Sequence, residues 1–227
     1  MPKISIIIPA YNCAKTIDQC LTSIFKQTFK DFEVIVINDG SKDDLDNVIK
    51  PWLEKIKYIK QENQGAPIAR NNGFKESTGE YVIFLDADII AKPSMMEKLL
   101  FALEKNPNIS YSYSSFIFGW KKFKLWKYDS EKLKQMPYIH TSALIRREHF
   151  PGFDVTLKKF QDWDLWLTML KQGHTGIWVD EVLFRAVSGG TMSSWLPSFV
   201  YKLSFVKTKT KDKYEKAMEI IKIKHHL

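Results

Sequence analysis

Two aspartates, Asp86 and Asp88, stand one alanine apart inside the apolar run FLDADII at residues 84 to 90. Carboxylates rarely enter a core unless a cation or several donors meet them, and two so close repel unless positive charge lies between. Oxygen ligands of this kind suit magnesium or manganese, which complete their shells with water and phosphate oxygens. The plainer reading makes both residues turn or cap groups ahead of a helix opening at Pro93, and Asp-x-Asp alone is a weak motif. Asp39, in NDGS, has the same two faces. It is either an Asx turn before Gly40, favoured on position alone, or an acceptor for a base N–H, with Tyr11 of PAYN as a stacking face. Asp162 begins QDWDLWL. An acid there is favoured by the helix dipole, but Asp164 would satisfy the dipole equally well.

Elements that must position these groups follow from the apolar pattern. KISIIIP (3–9), FEVIVIN (32–38), KYIKQ (57–61) and EYVIFLD (80–86) read as strands, three of them continuous enough to be buried on both faces. Between them lie helical segments. The first follows Asn12 as N-cap and carries Ile17, Leu21, Ile24 and Phe25 on one face. The second, DDLDNVIKPWLEKI, is bent near Pro51; the third is APIARNNGFKES; the fourth, PSMMEKLLFALEKN, has Pro93 in its first turn. Strand–helix alternation means a parallel wound sheet with helices on both faces, and such sheets bind ligands beyond the carboxyl ends of their strands. After residue 108 the rhythm changes. ISYSYSSFIF (109–118) and YIHTSALIR (138–146) read as strands of a small antiparallel section with no periodic helix between them. DWDLWLTMLKQG is a helix ended by Gly173, GIWVDEVLFRAV a pair of short strands, SGGTMSS (188–194) a loop, and the segment from Pro197 a helical tail. The expected organisation is one domain over 1–194, with halves at 1–108 and 109–194, followed by a basic tail over 195–227.

Composition sets the outer limits. A chain of 227 residues, 44% hydrophobic and 26% charged, is an ordinary folded protein. No segment reads as a cleavable signal, and none reaches the roughly 18 apolar residues a membrane span needs, so a cytoplasmic location is expected. Cys13 and Cys20 sit about 10 Å apart if both lie on the first helix, too far for a disulfide. The net charge of +8 favours an anionic partner. Eight lysines against three acids fall within 195–227, and GWKKFKLWKY (119–128) interleaves lysines with aromatics. PAYN contains no glycine, so neither GxGxxG nor GxxxxGK[ST] follows the first strand. A nicotinamide dehydrogenase, a P-loop NTPase and a sugar nucleotidyltransferase are disfavoured. A nucleic-acid module is too, since its lysines match no binding motif and a carboxylate edge repels phosphate.

SIIIPAYN, VINDGS, ENQGAPIARNNG, VIFLDAD and QDWDLWL, in that order and spacing, resemble the family-two glycosyltransferases of GT-A fold over residues 3 to 190. The resemblance implies an inverting enzyme that moves a sugar from a nucleoside diphosphate, usually UDP, with Mn2+ or Mg2+. Pro9, Tyr11 and Asp39 would then belong to the nucleotide pocket, with Tyr11 and Asp39 on the base, and Arg70 would lie near the nucleotide. Asp86 would meet the ribose or a metal-bound water, Asp88 the metal, and Asp162 would be the general base. Gln161 and Trp163 would face the acceptor, a saccharide or lipid-linked glycan in cell-surface polysaccharide synthesis. Three positions depart from the family pattern: Gln161 replaces a glutamate, Thr168 an arginine, and AVSGGTMSS lacks a histidine. They keep open a catalytically weak or inactive sugar-nucleotide-binding protein. Trp120, Trp126, Trp163 and Trp166 are stacking candidates, although the spacing of the last two sends at least one into the core. His140, His149 and His174 show no ligand spacing and read as structural. The tail, with aromatics early and lysines late, fits a peripheral contact with the inner membrane face, packing on its own domain, or packing on a second subunit in a homodimer.

Overall fold

The structure, a computed structural model, describes residues 1–187 and 209–227. The expected SGGTMSS loop and the start of the helical tail lie outside the described residues. The parallel half is built as the apolar runs require. β1 (Ile4–Ala10) pairs in parallel with β2 (Phe32–Asp39) and β4 (Tyr81–Phe84), and β2 with β3 (Lys57–Gln61). Ile6 and Ile8 enter the core cluster shared with α1 (Ile17–Phe25) and α4 (Met95–Glu104), while Ile7 enters the one shared with α3 (Ala66–Lys75) and α6 (Gln161–Lys171). Period-two alternation in a strand thus covers both faces with helices. Gly73 lets α3 lie close, since a Cβ there would come within 2.5 Å of Ile7 Cγ2.

The chain after residue 88 completes the sheet. Antiparallel β8 (Leu144–Arg146) joins β4 to β6 (Tyr111–Phe118), and β6 runs parallel to β9 (Gly176–Ala186). β9 pairs antiparallel with β5 (Ile89–Ala91), giving the order β3-β2-β1-β4-β8-β6-β9-β5. β7 (Lys121–Phe123) folds back on β6 as a hairpin. The architecture is the mostly parallel, two-faced α/β sheet with an antiparallel section that the pattern implies.

Several local expectations are corrected. The fourth strand stops at Phe84, and Ile89–Ala91 is a separate strand, so the Asp86–Asp88 stretch is a connecting loop rather than a strand end. The second helix is one turn, α2 (Leu45–Val48), followed by a 3-10 turn at Lys50–Trp52 where Pro51 removes an amide donor. Asn12 is not a helix cap: its φ is 49°, its Oδ1 accepts from Lys42 N at 2.8 Å, and α1 begins after Thr16. Cys13 therefore lies outside α1; both cysteines are free thiols. GIWVDEVLFRA is one strand with register shifts against β6. Between β7 and β8 stands a short helix, α5 (Ser130–Gln135), capped by Asp129, which accepts from Lys132 N at 3.0 Å. The last element, α7 (Lys209–His225), packs Ile221 fully into the α3–α6 cluster.

Candidate active site

The carboxyl ends of β1 and β2 stand level, Ala10 opposite Asn38, so Pro9, Tyr11 and Asp39 come to one edge. Tyr11 leaves β1 with its ring 37% exposed. Asp39 is buried and tied to the segment between β3 and α3. Its Oδ1 accepts from Gln61 Nε2 at 2.7 Å and Gln64 N at 2.8 Å; its Oδ2 accepts from Gly65 N at 2.8 Å and Asn63 Nδ2 at 3.3 Å. Four donors fill a carboxylate's capacity. Asp39 is thus neither a simple Asx turn nor an open acceptor; any further donor would have to displace one already there. Gly40 follows with φ +71°, and a Cβ there would come within 2.8 Å of Asn63 N.

Arg70 is the hub. It projects from α3, one turn before Gly73, and is 3% exposed. Nη2 donates to Asp86 Oδ1 at 2.7 Å and Nη1 to Gln161 Oε1 at 3.0 Å, with Phe153's ring 5.2 Å from the guanidinium carbon. Among the described residues its Nε–H has no hydrogen-bond partner. Gln161 is braced by donating Nε2 to Leu157 O at 3.0 Å. Burial would raise the Asp86 carboxyl, but Arg70 and then His140 outweigh it and hold it below the ordinary value.

His140 was read as structural from its spacing; the fold places it here instead. Its Nε2 lies 3.9 Å from Asp86 Oδ2, between the rings of Phe116 and Phe184 at 5.4 and 5.3 Å. Nδ1 accepts from Ser142 N at 3.1 Å, which leaves the proton on Nε2, facing the carboxylates. Burial lowers the His140 pKa, against the charges of Asp86 and Asp162. Burial raises that of Asp162, opposed first by His140 and then by the Trp163 N–H, 2.8 Å from Asp162 Oδ1. Asp162 is therefore a carboxylate of increased basicity at the start of α6, electrostatically joined to His140 and Arg70, the same two groups that meet Asp86. No sequence spacing announces His140; only its place before β8, beside β4, could.

Asp88 behaves differently from Asp86. Burial first and the Asp86 charge second push it up to about 6. Among the described residues no basic side chain pairs with it, whereas Asp86 is claimed by Arg70. A divalent ion therefore fits Asp88 better than Asp86. Among the described residues no group of three or more His, Cys, Asp or Glu side chains is gathered for a metal. The donor set fits an oxygen-loving cation that takes its remaining ligands from water and a diphosphate.

Trp163 corrects an expectation. It is 0% exposed and donates Nε1–H to Leu133 O at 2.6 Å, while Trp166 is equally buried and donates to Ile139 O at 2.9 Å. Both belong to the core, and Trp163 offers no face to a sugar. Gln161 remains half-exposed beside Arg70.

A mixed sheet with its acidic and cationic groups gathered at the carboxyl ends of β1, β2 and β4 has the architecture of the GT-A fold. The chain matches the Glycosyl transferase family 2 profile over residues 5–160, ending one residue before α6. An uncharacterized glycosyltransferase of Rickettsia typhi is 33% identical over 188 residues, 75% of this chain and 59% of that protein. Staphylococcus aureus TarS 1–349 in complex with UDP-GlcNAc superposes with TM-score 0.72 at 20% identity, covering 97% of this chain and 66% of that one. A mannosyltransferase of Pyrobaculum calidifontis in complex with GDP-Man and Mn2+ gives 0.66 at 19%, covering 86% and 59%. Those two similarities show a shared fold. This chain belongs to glycosyltransferase family 2. It spans between 17 and 64% of the length of the first curated relatives it matches.

Proposed function

We propose that the chain transfers a sugar, with inversion, from a UDP-hexose or UDP-N-acetylhexosamine to a hydroxyl of a saccharide or lipid-linked acceptor in cell-surface polysaccharide synthesis. The observation that carries this is the shared electrostatics of Asp162, His140, Asp86 and Arg70 at one edge of the sheet. In this reading residues 1–108 hold the nucleotide, with Pro9 and Tyr11 beside the base, and 109–194 serve the acceptor. Asp162 takes the proton of the acceptor hydroxyl. The oxygen then attacks the anomeric carbon opposite the departing phosphate, and the broken C–O bond's electron pair leaves with the nucleoside diphosphate. A positioned base contributes roughly 10² to 10⁴ in rate. Burial of Asp162 strengthens it for that task, and His140, with its Nε2 proton facing the carboxylates, orients them. Mn2+ or Mg2+ at Asp88 would offset the charge gathering on the diphosphate.

A second reading is favoured by Gln161. The neutral amide meets Arg70 at the position where the family resemblance implies a glutamate, which suits a protein that binds sugar nucleotide with little or no turnover. Sugar-nucleotide consumption in the presence of acceptor separates the two. The location proposed is cytoplasmic, at the inner membrane face. It is supported by Ile220, Ile223 and Leu227 of the C-terminal segment, exposed at 55, 68 and 46% beside lysines. No described helix is long and apolar enough to cross a membrane. Screening UDP- and GDP-sugars by thermal shift, with and without Mn2+, tests donor and metal together: a shift with one UDP-sugar that requires metal supports the proposal, and no shift with any overturns it.

A further inference from the structure

Helix α7 does more than cover apolar surface. Its C-terminal turn brings Lys224 Nζ to 2.7 Å from Asp164 Oδ1 and 2.6 Å from Asp154 Oδ2, and His225 Nε2 to 2.8 Å from the same Asp164 oxygen. Asp164 is 3% exposed, so these basic groups are the charge partners of a buried carboxylate two residues beyond Asp162. The arrangement also matches the dipoles, since positive side chains end α7 and acids begin α6.

A second contact lies on the other side of the same turn. Phe160, the residue before α6, holds a left-handed conformation at φ 57°, which a bulky side chain adopts only when its surroundings impose it. Its ring meets Tyr214 of α7 edge-on at 5.0 Å and Trp163 at 5.9 Å. Phe160 O accepts from Asp164 N at 2.9 Å, so the backbone turn carrying Gln161 and Asp162 is closed by two residues that both touch α7.

We infer that α7 is a positioning element for the first turn of α6: Lys224 and His225, acting through Asp164, fix the backbone from which Gln161 reaches Arg70 and Asp162 faces His140. Naming Asp162 as the base rests on the proposed function; the mechanical link does not. Without Lys224 the buried Asp164 carboxylate keeps, among the described residues, His225 as its basic partner, and drawing the carboxylate toward water opens the turn that Asp162 shares.

The full chain carrying Lys224→Met is compared with wild type and Lys224→Arg by amide hydrogen exchange and by turnover of UDP-GlcNAc, UDP-Glc and GDP-Man with Mn2+. Amides in 160–166 of the Met variant are expected to exchange roughly tenfold faster or more, with those of β1 and β2 unchanged and the Arg variant restored. On whichever donor is consumed, kcat falls at least tenfold while KM holds. Unchanged exchange at 160–166, or acceleration spread evenly through the sheet, overturns the inference, as does a rise in KM with kcat intact. If wild type consumes none of these donors, the catalytic reading has failed separately, and the exchange comparison still decides the positioning role.

Discussion

At the scale of single residues the site is a chain of charges, and each link has a distinct expected failure. Asp162→Asn keeps the side chain's shape but removes the group that accepts a proton, so consumption of donor should fall by roughly 10² to 10⁴. UDP affinity, read by calorimetry, should stay within about twofold of wild type, because Asp162 meets the nucleotide side only through His140 and Arg70. Loss of UDP binding together with activity would mean that Asp162 holds the pocket rather than the proton. Asp39→Ala leaves Gln64 N and Gly65 N without their acceptor. Those donors sit on a half-buried to exposed loop where water replaces part of the loss, so the melting temperature should drop by less than the roughly 1–3 kcal/mol of a fully buried orphan would cause, and the loop at 61–65 should exchange faster. The sequence singled out Asp39, Asp86, Asp88 and Asp162 by type and position. It could not reveal that Asp39's oxygens are filled by donors from Gln61 to Gly65, or that His140 lies beside Asp86 and feels the charge of Asp162.

At the scale of elements, two packing contacts are open to direct measurement. Gly73→Ala places a methyl within 2.5 Å of Ile7 Cγ2, so α3 must shift from β1. Overpacking of this kind costs about 1–3 kcal/mol and should weaken UDP binding as well, because α3 carries Arg70. Stability lost with UDP affinity intact would show that Arg70 does not depend on how α3 lies. The docking of α7 has a pH signature. Asp154 is lowered from 3.8 to about 2, first by its hydrogen bond with Lys224 and next by Thr156. A group depressed in the folded state stabilises above its ordinary pKa and loses that contribution as pH falls through the folded one. The α7 contact is therefore complete above about 4 and fades toward 2. A carboxyl-carbon NMR titration of Asp154 should show a midpoint near 2, returning toward 3.8 in Lys224→Ala; an unchanged midpoint would deny the ion pair.

For the molecule as a whole, the expected behaviour is linkage between folding and a metal–nucleotide pair. UDP with Mn2+ at about a hundred times its dissociation constant should add about 2.7 kcal/mol to stability. Chelation by EDTA should remove most of that gain, since in the proposed site Asp88 would then face the diphosphate without a cation. A gain that survives chelation would transfer charge compensation to Arg70 and the lysines. Global features were largely legible in advance. β1, β2 and β4 are apolar runs rich in β-branched and aromatic residues, and a strand buried on both faces can be written in few other ways. The antiparallel part was less so, because β5 and β8 are three residues each and β9 reads as two pieces until its bulged pairing with β6 makes it one.

The amino-acid sequence by itself determined the wound parallel half, the family, and the acids at the carboxyl edge, because burial periodicity and motif order are local and survive without coordinates. Only the tertiary structure decided which acid keeps company with which cation. Asp86 goes to Arg70, Asp88 is left with its carboxyl raised, Asp162 joins His140, Trp163 turns into the core, and Lys224 reaches Asp164. Those pairings join residues 16 to 60 positions apart, and their energies depend on sheet order and burial, which no local pattern encodes.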